Sequence, residues 1–387
     1  MDFRAVFEAS VAAGIRSAAW IDSRRATFPG GTNGPYLDVE SPVRNSAHWL
    51  ATLSIGHHLG LPGTRSVGHA IVAFLLSDHP FRQAGRSIHR QRHPKDWCNG
   101  VIGDAWVIES LALAGVLLEH EEAAAVAIRM ASTQPFARAH HAWERLDPGR
   151  RRSGVDRALN HQLWFAAATL EALHRASDPE SGTSTIERVL DLLDHVARGA
   201  LAIGSDGTIQ HHLQPVGPAQ AVSPMGLRRT ARALRQRVDT EHERLRVERD
   251  TGYHLYVLSA LSRLRGALPE HPFWQAEELQ AALRRASDPG LLVSLETNPY
   301  AFPYNAPGFA LPLIARAFED LAPPLSDRRD EAWERQLSRT WDERSARFVR
   351  GTPDPLTLSA RVYELGLALL SVRPLPDDVR HTTKRGT

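Results

Sequence analysis

Acidic and basic side chains stand near the starts of long apolar segments of this chain. A pair of carboxylates can act as acid and base in a hydrolysis, whereas an imidazole oriented by a carboxylate can remove a proton from carbon. Structural roles compete, because an Asp before a helix often caps its N-terminus and a charge inside an apolar helix needs a partner. The candidate catalytic residues are Asp96, Asp104, Asp156, His161 and His48.

Aromatic and amide side chains recur around the same positions. Flat indole and phenol rings suit the C–H faces of sugars, and amides bond hydroxyl groups both as donors and as acceptors. Each aromatic residue could instead belong to the core, but asparagines and histidines at equivalent places in successive segments favour a binding site. The candidate substrate-binding residues are Arg44, Asn45, Trp49, His89, Arg90, Trp97, Asn99, Trp106, Asn160, Trp164, Tyr253, His254, Tyr304 and Asn305.

The sequence gives little support for a metal site. The adjacent pairs His57-His58, His140-His141 and His211-His212 point apart on a helix or a strand, and Cys98 is the single cysteine. The phrase Trp97-Cys98-Asn99-Gly100 is similar to the zinc site of lanthionine cyclases, which bind zinc through two Cys and one His. We therefore predict no metal and no cofactor, and a lanthionine-cyclase-like zinc enzyme is a less favoured alternative.

Amphipathic segments alternate with segments that are apolar on every side, and the apolar members begin near residues 44, 99, 160, 251, 305 and 358. Pairs of one outer and one inner helix explain this alternation. We predict an all-α fold, an (α/α)6 barrel with small loops or hairpins at one rim. If the inner helices are parallel, their N-termini meet at that rim, where the positive dipole ends favour an anion.

We predict one barrel domain over residues 1–375. The Arg-rich segment 217–249 interrupts the pairing and is interpreted as an insertion, either solvated or acting as a clamp for an acidic substrate. Residues 376–387 are predicted to form a flexible tail.

Overall composition narrows the class of partner. The formal charge is +2, which gives no indication of nucleic acid, and no run of 18 apolar residues predicts a membrane span. A single cysteine is typical of a reducing compartment, so we expect a cytoplasmic protein. The sequence does not indicate an oligomeric state.

Several separate motifs carry a resemblance to a known family. They are Arg44–Trp49, His89–Arg90, Asp96–Trp106, Asp156 with Asn160–Phe165, His271–Trp274 and Asn298–Phe309. Together these motifs resemble the AglQ-type proteins encoded in surface-glycan (agl) clusters. The resemblance implies a six-hairpin glycosidase-like fold and a carbohydrate-active enzyme, in a family assigned to hexuronic acid processing during glycan assembly.

The reaction stays open between two chemistries. Proton transfer at a sugar carbon, as in isomerases and epimerases, would use His161 or His48 as the base. Hydrolysis of a glycosidic or unsaturated uronyl link would use a pair among Asp96, Asp104 and Asp156. A non-catalytic glycan-binding or assembly protein is the alternative. The expected partner is a saccharide or a uronic-acid-containing glycan.

Overall fold

The computed structural model describes residues 1–91, 96–147, 151–173, 179–215 and 240–370. The chain is mostly helical over these ranges. Its helices are α1 (Phe3–Ser17), α2 (Pro42–His58), α3 (Thr64–Leu76), α4 (Gly100–Leu117), α5 (Glu121–Thr133), α6 (Leu159–Leu173), α7 (Pro179–His195), α8 (Thr240–Ala267), α9 (Glu277–Ser287), α10 (Pro289–Leu295), α11 (Pro307–Ala317), α12 (Leu325–Thr340), α13 (Pro355–Ala360) and α14 (Tyr363–Leu369).

The inner helices form a closed ring. Along this ring α2 packs on α4, α4 on α6, α6 on α8, α8 on α11, α11 on α14, and α14 returns to α2. The helices α1, α3, α5, α7, α9 and α12 lie outside this ring, each against the inner helix or helices beside it. The predicted (α/α)6 barrel is therefore confirmed.

Helix composition explains which ring each helix joins. Helix α4 buries every residue from Gly100 to Gly115, so it must be covered on all sides. Helix α5 buries one stripe at helical spacing, formed by Ala123, Val126, Ala127, Met130 and Ala131. Among the described helices only α4 is long and apolar enough to cross a membrane, and in this fold it lies inside the barrel against α2, α5 and α6.

Short strands decorate the barrel as antiparallel pairs. β1 (Ala19–Trp20) pairs with β2 (Ala26–Thr27), β3 (Arg82–Gln83) with β4 (Arg86–Ser87), and β8 (Trp341–Asp342) with β9 (Arg347–Phe348). β5 (Phe136–Ala137), β6 (Ala142–Asp147) and β7 (Arg151–Val155) form a three-stranded sheet where the sequence predicts only an irregular link. The predicted strand-like piece at 208–213 makes two isolated bridges, Ile203 to Ile209 and Ala158 to His212.

Two inner helices differ from the prediction. Helix α8 begins at Thr240 rather than near residue 251, so residues 240–249 of the Arg-rich segment extend this helix, and residues 217–239 lie outside the described residues. The last inner helix is interrupted between Ala360 and Tyr363. The side chain of Arg361, which stands at this break, is buried inside the barrel. The domain boundary at 375 and the tail 376–387 also lie outside the described residues.

Helix α1 approaches α2 closely where Trp49 meets Gly14. The ring of Trp49 stacks on Phe28 with centroids 5.1 Å apart, and a Cβ added at Gly14 would stand 2.3 Å from the Trp49 ring. Trp49 is 3% exposed, so it cannot move aside into solvent.

We therefore expect Gly14→Val to lower the free energy of unfolding by about 2–3 kcal/mol, as overpacked cores do. The control is Ala12→Val at an exposed position of the same helix, where the lower helix propensity of Val should cost roughly 0.5 kcal/mol. Urea unfolding of both variants measures the difference. Equal losses in the two variants would contradict this packing.

Candidate functional site

A cavity of about 250 Å³ opens at the rim where the inner helices begin. Its volume lies just below the roughly 300–1,000 Å³ of typical small-molecule sites, so it suits a compact ligand. Arg44, Asn99, Asn160 and Asn305 share it, as parallel inner helices predict. The cavity is lined by Asn33, Tyr36, Arg44, Arg90, Asn99, Ile102, Trp106, Asn160, His161, His211, Arg249, Tyr253, Tyr256, Tyr304, Asn305 and Arg361.

Asp156 and His161 form a hydrogen-bonded pair at one wall of the cavity. The Oδ2 atom of Asp156 lies 2.8 Å from Nδ1 of His161 and also accepts from the backbone N–H of Val101 at 2.9 Å. Its Oδ1 atom accepts from the N–H of Ala158 at 3.1 Å. Asp156 thus joins the starts of α4 and α6 and orients the imidazole.

The charge state of Asp156 determines the tautomer of His161. Burial alone would raise the pKa of Asp156, but the charge of His161 and the hydrogen bonds from His161, Val101 and Ala158 lower it to about 2. The ionised carboxylate only accepts hydrogen bonds, so Nδ1 of His161 carries the proton that it shares with Asp156. Nε2 is then the nitrogen that can exchange a proton in the cavity.

Gly100 allows this pair to reach the start of α4. Its φ of +64° lies in the left-handed region, and a Cβ there would stand 2.1 Å from Oδ2 of Asp156 and 2.6 Å from Nδ1 of His161. Its N–H donates to Oδ1 of Asp96 at 2.7 Å. Asp96 therefore caps α4, and its Oδ2 atom lies 3.2 Å from Arg90, whose guanidinium also donates to Asn99.

Arg44 stands at the centre of a buried cluster. Its Nη1 atom donates to both carboxylate oxygens of Glu40 at 3.0 Å and to Oδ1 of Asn33 at 2.9 Å. The guanidinium lies 4.0 Å from the ring centroid of Trp106, a cation–π contact. Burial raises the pKa of Glu40, although the charge of Arg44 opposes this effect.

His48 supports Arg44 from below the cavity. Its Nε2 atom accepts from Nε of Arg44 at 3.2 Å, and its ring stacks on Tyr363 with centroids 5.0 Å apart. Burial, with the charges of Arg44 and Arg361, lowers the pKa of His48 well below its usual value. His48 is not among the cavity-lining residues, so we assign it to positioning Arg44.

Arg361 also lines the cavity and is paired with a carboxylate of its own. Its Nε donates to Glu364 at 2.6 Å, and its Nη1 donates to the backbone oxygen of Tyr304 at 2.6 Å and to Oδ1 of Asn305 at 3.1 Å. The guanidinium lies 4.8 Å from the ring centroid of Tyr256. This residue links the last inner helix to the start of α11.

Tyrosines and a second imidazole complete the lining. The hydroxyl groups of Tyr36 and Tyr253 are hydrogen-bonded to each other at 3.1 Å, and the ring of His211 lies 4.6 Å from that of Tyr253. Burial and the neighbouring charges of His212 and Arg249 lower the pKa of His211 well below its usual value, so this imidazole is neutral.

Several predicted site residues lie elsewhere for identifiable reasons. Asp104 is only 2% exposed, and the guanidinium of Arg86 at 2.9 Å is the partner of this buried carboxylate. The amide of Asn45 donates to the backbone of Pro29 at 2.8 Å. His254 accepts from the N–H of Ile209 at 3.2 Å and also contacts the oxygen of Ala282, so it fastens a loop to α8.

Trp49, His89, Trp97 and Trp164 surround the cavity but do not line it. Trp49 packs against α1, and Trp164 donates to Glu109 at 3.0 Å beneath the floor. His89 is fully buried behind Trp106, and Trp97 provides a backbone oxygen to the N–H of His89 at 2.8 Å. These residues and Asp104, Asn45 and His254 are therefore left out of the proposed site.

The structure adds residues that the sequence prediction missed. Tyr256 stands three residues after Tyr253, so helical spacing could have found it. Arg249 stands four residues before Tyr253, on the part of α8 that the sequence prediction assigned to the insertion. Asn33 and Tyr36 come from an irregular loop without periodicity, and the other additions are Ile102, His211 and Arg361.

Few potential metal ligands lie close together in the ranges described above. No group of three or more His, Cys, Asp or Glu residues converges within these ranges. The single cysteine, Cys98, is buried, and burial with the nearby carboxylates of Asp104 and Asp96 raises the pKa of its thiol.

Solved structures of several sugar-modifying enzymes share this fold. A D-mannose isomerase aligns with a TM-score of 0.61 and 11% identity over 98% of this chain and 97% of its own. The cellobiose 2-epimerase of Bacillus thermoamylovorans aligns with a TM-score of 0.61 and 10% identity over 95% of this chain and 98% of its own. A family 76 glycoside hydrolase from Bacteroides thetaiotaomicron gives 0.56 and 8% over 95% of this chain and 78% of its own. At these identities the likeness concerns the fold.

Sequence comparison gives a nearer relative, although no family model matches the chain. Archaeal glycosylation protein Q of Haloferax volcanii is 33% identical over 347 residues, which make up 87% of this chain and 91% of that protein. The resemblance to AglQ-type proteins is thereby confirmed. The chain belongs to the family of archaeal glycosylation protein Q.

Proposed function

We propose that this protein is a carbohydrate-active enzyme that moves a proton at a sugar carbon, with His161 as the acid and base. The observation that carries this proposal is the Asp156–His161 pair, which leaves one imidazole nitrogen available at the cavity. Glycosylation protein Q, as a relative, and the sugar isomerase and epimerases, as fold neighbours, support a saccharide substrate.

In the proposed reaction, Nε2 of His161 removes the proton from the carbon next to the carbonyl of an open-chain sugar. The electron pair of that C–H bond shifts to the carbonyl oxygen and forms an enediolate, which the guanidinium of Arg44 or Arg361 stabilises. For an isomer, the protonated imidazole returns the proton to the former carbonyl carbon, while the hydroxyl proton of the adjacent carbon passes to the former carbonyl oxygen. For an epimer, the enediolate first turns its other face to His161, and the imidazole returns the proton to the original carbon. The product is an isomer or an epimer, and His161 ends the cycle neutral.

Glycoside hydrolysis is the second candidate, and the cavity supports it less well. Hydrolysis needs two carboxyl groups on opposite sides of the bond. Among the described residues no Asp or Glu lines the cavity, because Asp96, Asp156, Glu40 and Glu364 lie behind the groups that they bind. Asp104 is held by Arg86, and the two remaining candidates, Asp96 and Asp156, both accept backbone N–H groups at the start of α4.

The substrate and the compartment remain predictions. We propose a uronic acid, or a glycan that contains one, because the lining carries several arginines and no acidic side chain of the described residues. A cytoplasmic location rests on the single cysteine alone.

A purely glycan-binding protein would use the same aromatic and amide residues but would not need the oriented imidazole. Phe replacing Tyr253 would then lower glycan affinity while no turnover is found with any sugar. Loss of turnover with unchanged glycan affinity in Asp156→Asn would instead identify an enzyme.

His161→Ala should lower turnover at least about 10²-fold, the typical contribution of a general base. Its melting temperature should stay within a few degrees of the parent, because His161 is partly exposed and bonds only Asp156 among the described residues. Turnover is measured by NMR on glucuronate, galacturonate and mannuronate and on the matching neutral hexoses. The control is His58→Ala, an exposed imidazole at the end of α2, which should leave turnover unchanged. Normal turnover in His161→Ala would move the base to another cavity residue.

Asp156→Asn should lose stability in a pH-dependent way. The pKa of about 2 in the folded chain lies below the ordinary aspartate pKa of 3.8, so the carboxylate stabilises the fold above pH 3.8 and loses this effect as the pH falls through 2. The shift corresponds to about 2 kcal/mol. Urea unfolding of parent and variant should show the largest gap at neutral pH and a shrinking gap below pH 4. A gap that does not change with pH would contradict the ionised, paired state of Asp156.

A further inference from the structure

Arg249 differs from the other three arginines of the cavity in having no hydrogen-bonded carboxylate partner among the described residues. Arg44 lies 3.0 Å from Glu40, Arg90 lies 3.2 Å from Asp96, and Arg361 lies 2.6 Å from Glu364. Among the described residues no hydrogen bond or ion pair reaches the guanidinium of Arg249, and its Nε atom is buried without a partner. The next residue, Asp250, is already bound to Arg246 at 2.9 Å and to the N–H of His211 at 3.0 Å.

The surroundings of Arg249 connect it with the proposed reaction centre. Arg249, His211 and His161 line the same cavity. Burial and then the charge of Arg249 lower the pKa of His212, and the same charge acts on His211 and Tyr36, so the guanidinium stands close to the second imidazole and the loop tyrosine.

An uncompensated guanidinium in a partly buried site is costly unless a ligand neutralises it. Its planar fork of donors matches two oxygens of a carboxylate or a phosphate. Neutral hydroxyl groups would leave the charge unpaired. The substrate itself is the partner that this side chain lacks.

We propose that Arg249 is the specificity-determining residue of this site, and that it binds an anionic group, carboxylate or phosphate, on the sugar on which His161 acts. This inference rests on the proposed function for the position of the sugar, and it goes beyond it by naming the selecting residue. The anion orients the saccharide so that its other end reaches the Asp156–His161 pair. Neutral sugars of the same shape enter but are held weakly.

Calorimetric binding to the full chain tests the proposal with defined probes. The panel is glucuronate, galacturonate and mannuronate, each with its neutral hexose, together with glucose 6-phosphate. Arg249→Gln removes the charge and keeps a polar side chain. Arg244→Gln is the matched control, because Arg244 is exposed on the same helix, does not line the cavity and changes the net charge equally.

We expect at least one anionic sugar to bind the parent at least tenfold more tightly than its neutral counterpart. Arg249→Gln should remove that preference, raise the KM for the anionic sugar at least tenfold and change kcat much less, whereas Arg244→Gln should behave as the parent does. Tighter binding of uronates than of glucose 6-phosphate assigns the anion to a carboxylate, and the reverse order assigns it to a phosphate.

Equal affinity of the parent for anionic and neutral sugars overturns the proposal. An anion preference that survives in Arg249→Gln overturns it too. The proposed function fails by a different result, namely normal turnover in His161→Ala, so the two failures are distinguishable.

Discussion

The buried carboxylate of Asp156 is the contact on which the rest of the site depends. It accepts hydrogen bonds from the first turn of α4, from the start of α6 and from the imidazole of His161. A buried carboxylate without hydrogen-bond donors would be strongly destabilising, and the backbone N–H groups of Val101 and Ala158 supply such donors independently of the imidazole. Gly100 is required there because any side chain would occupy the space of the carboxylate. One group therefore fixes two inner helices and the reactive tautomer together.

The floor of the cavity is held by a second buried cluster. Glu109 accepts from the indole N–H of Trp164 at 3.0 Å and from the hydroxyl of Tyr363 at 3.3 Å, and it lies 2.8 Å from Arg263. Trp164 stacks under Tyr256 with centroids 4.4 Å apart. The Glu109–Arg263 pair therefore holds in place the aromatic rings that form the floor of the cavity.

Much of the fold and part of the site were predictable from residue periodicity. Helices that are apolar on all sides must be covered on both faces, which leads directly to a double ring, and polar residues at their starts must meet at one rim. That reasoning found Asn99, Asn160, His161 and Asn305. Trp164 and His254 do not line the cavity, because each bonds a buried polar partner, Glu109 and the N–H of Ile209, that lies far away in sequence.

Tertiary structure also explains why the sequence prediction missed several residues of the cavity. Tyr36 reaches the cavity from a loop, and Arg361 reaches it from a break in the last inner helix, and neither position follows from a repeat. The sequence prediction missed Arg249, because a run of arginines with few apolar residues is typical of a solvated segment. The structure continues α8 through this run, and helical geometry then puts Arg249 on the same face as Tyr253.

The central claim is that His161 transfers a proton at a sugar carbon, and solvent exchange measures this step directly. The full chain is incubated in D₂O with the uronates and hexoses, and NMR follows the proton on the carbon next to the carbonyl. The account predicts that deuterium enters at that carbon in the presence of the parent and not in the presence of His161→Ala. Release of a new reducing end from a glycoside, with no deuterium at carbon in any sugar, would contradict it.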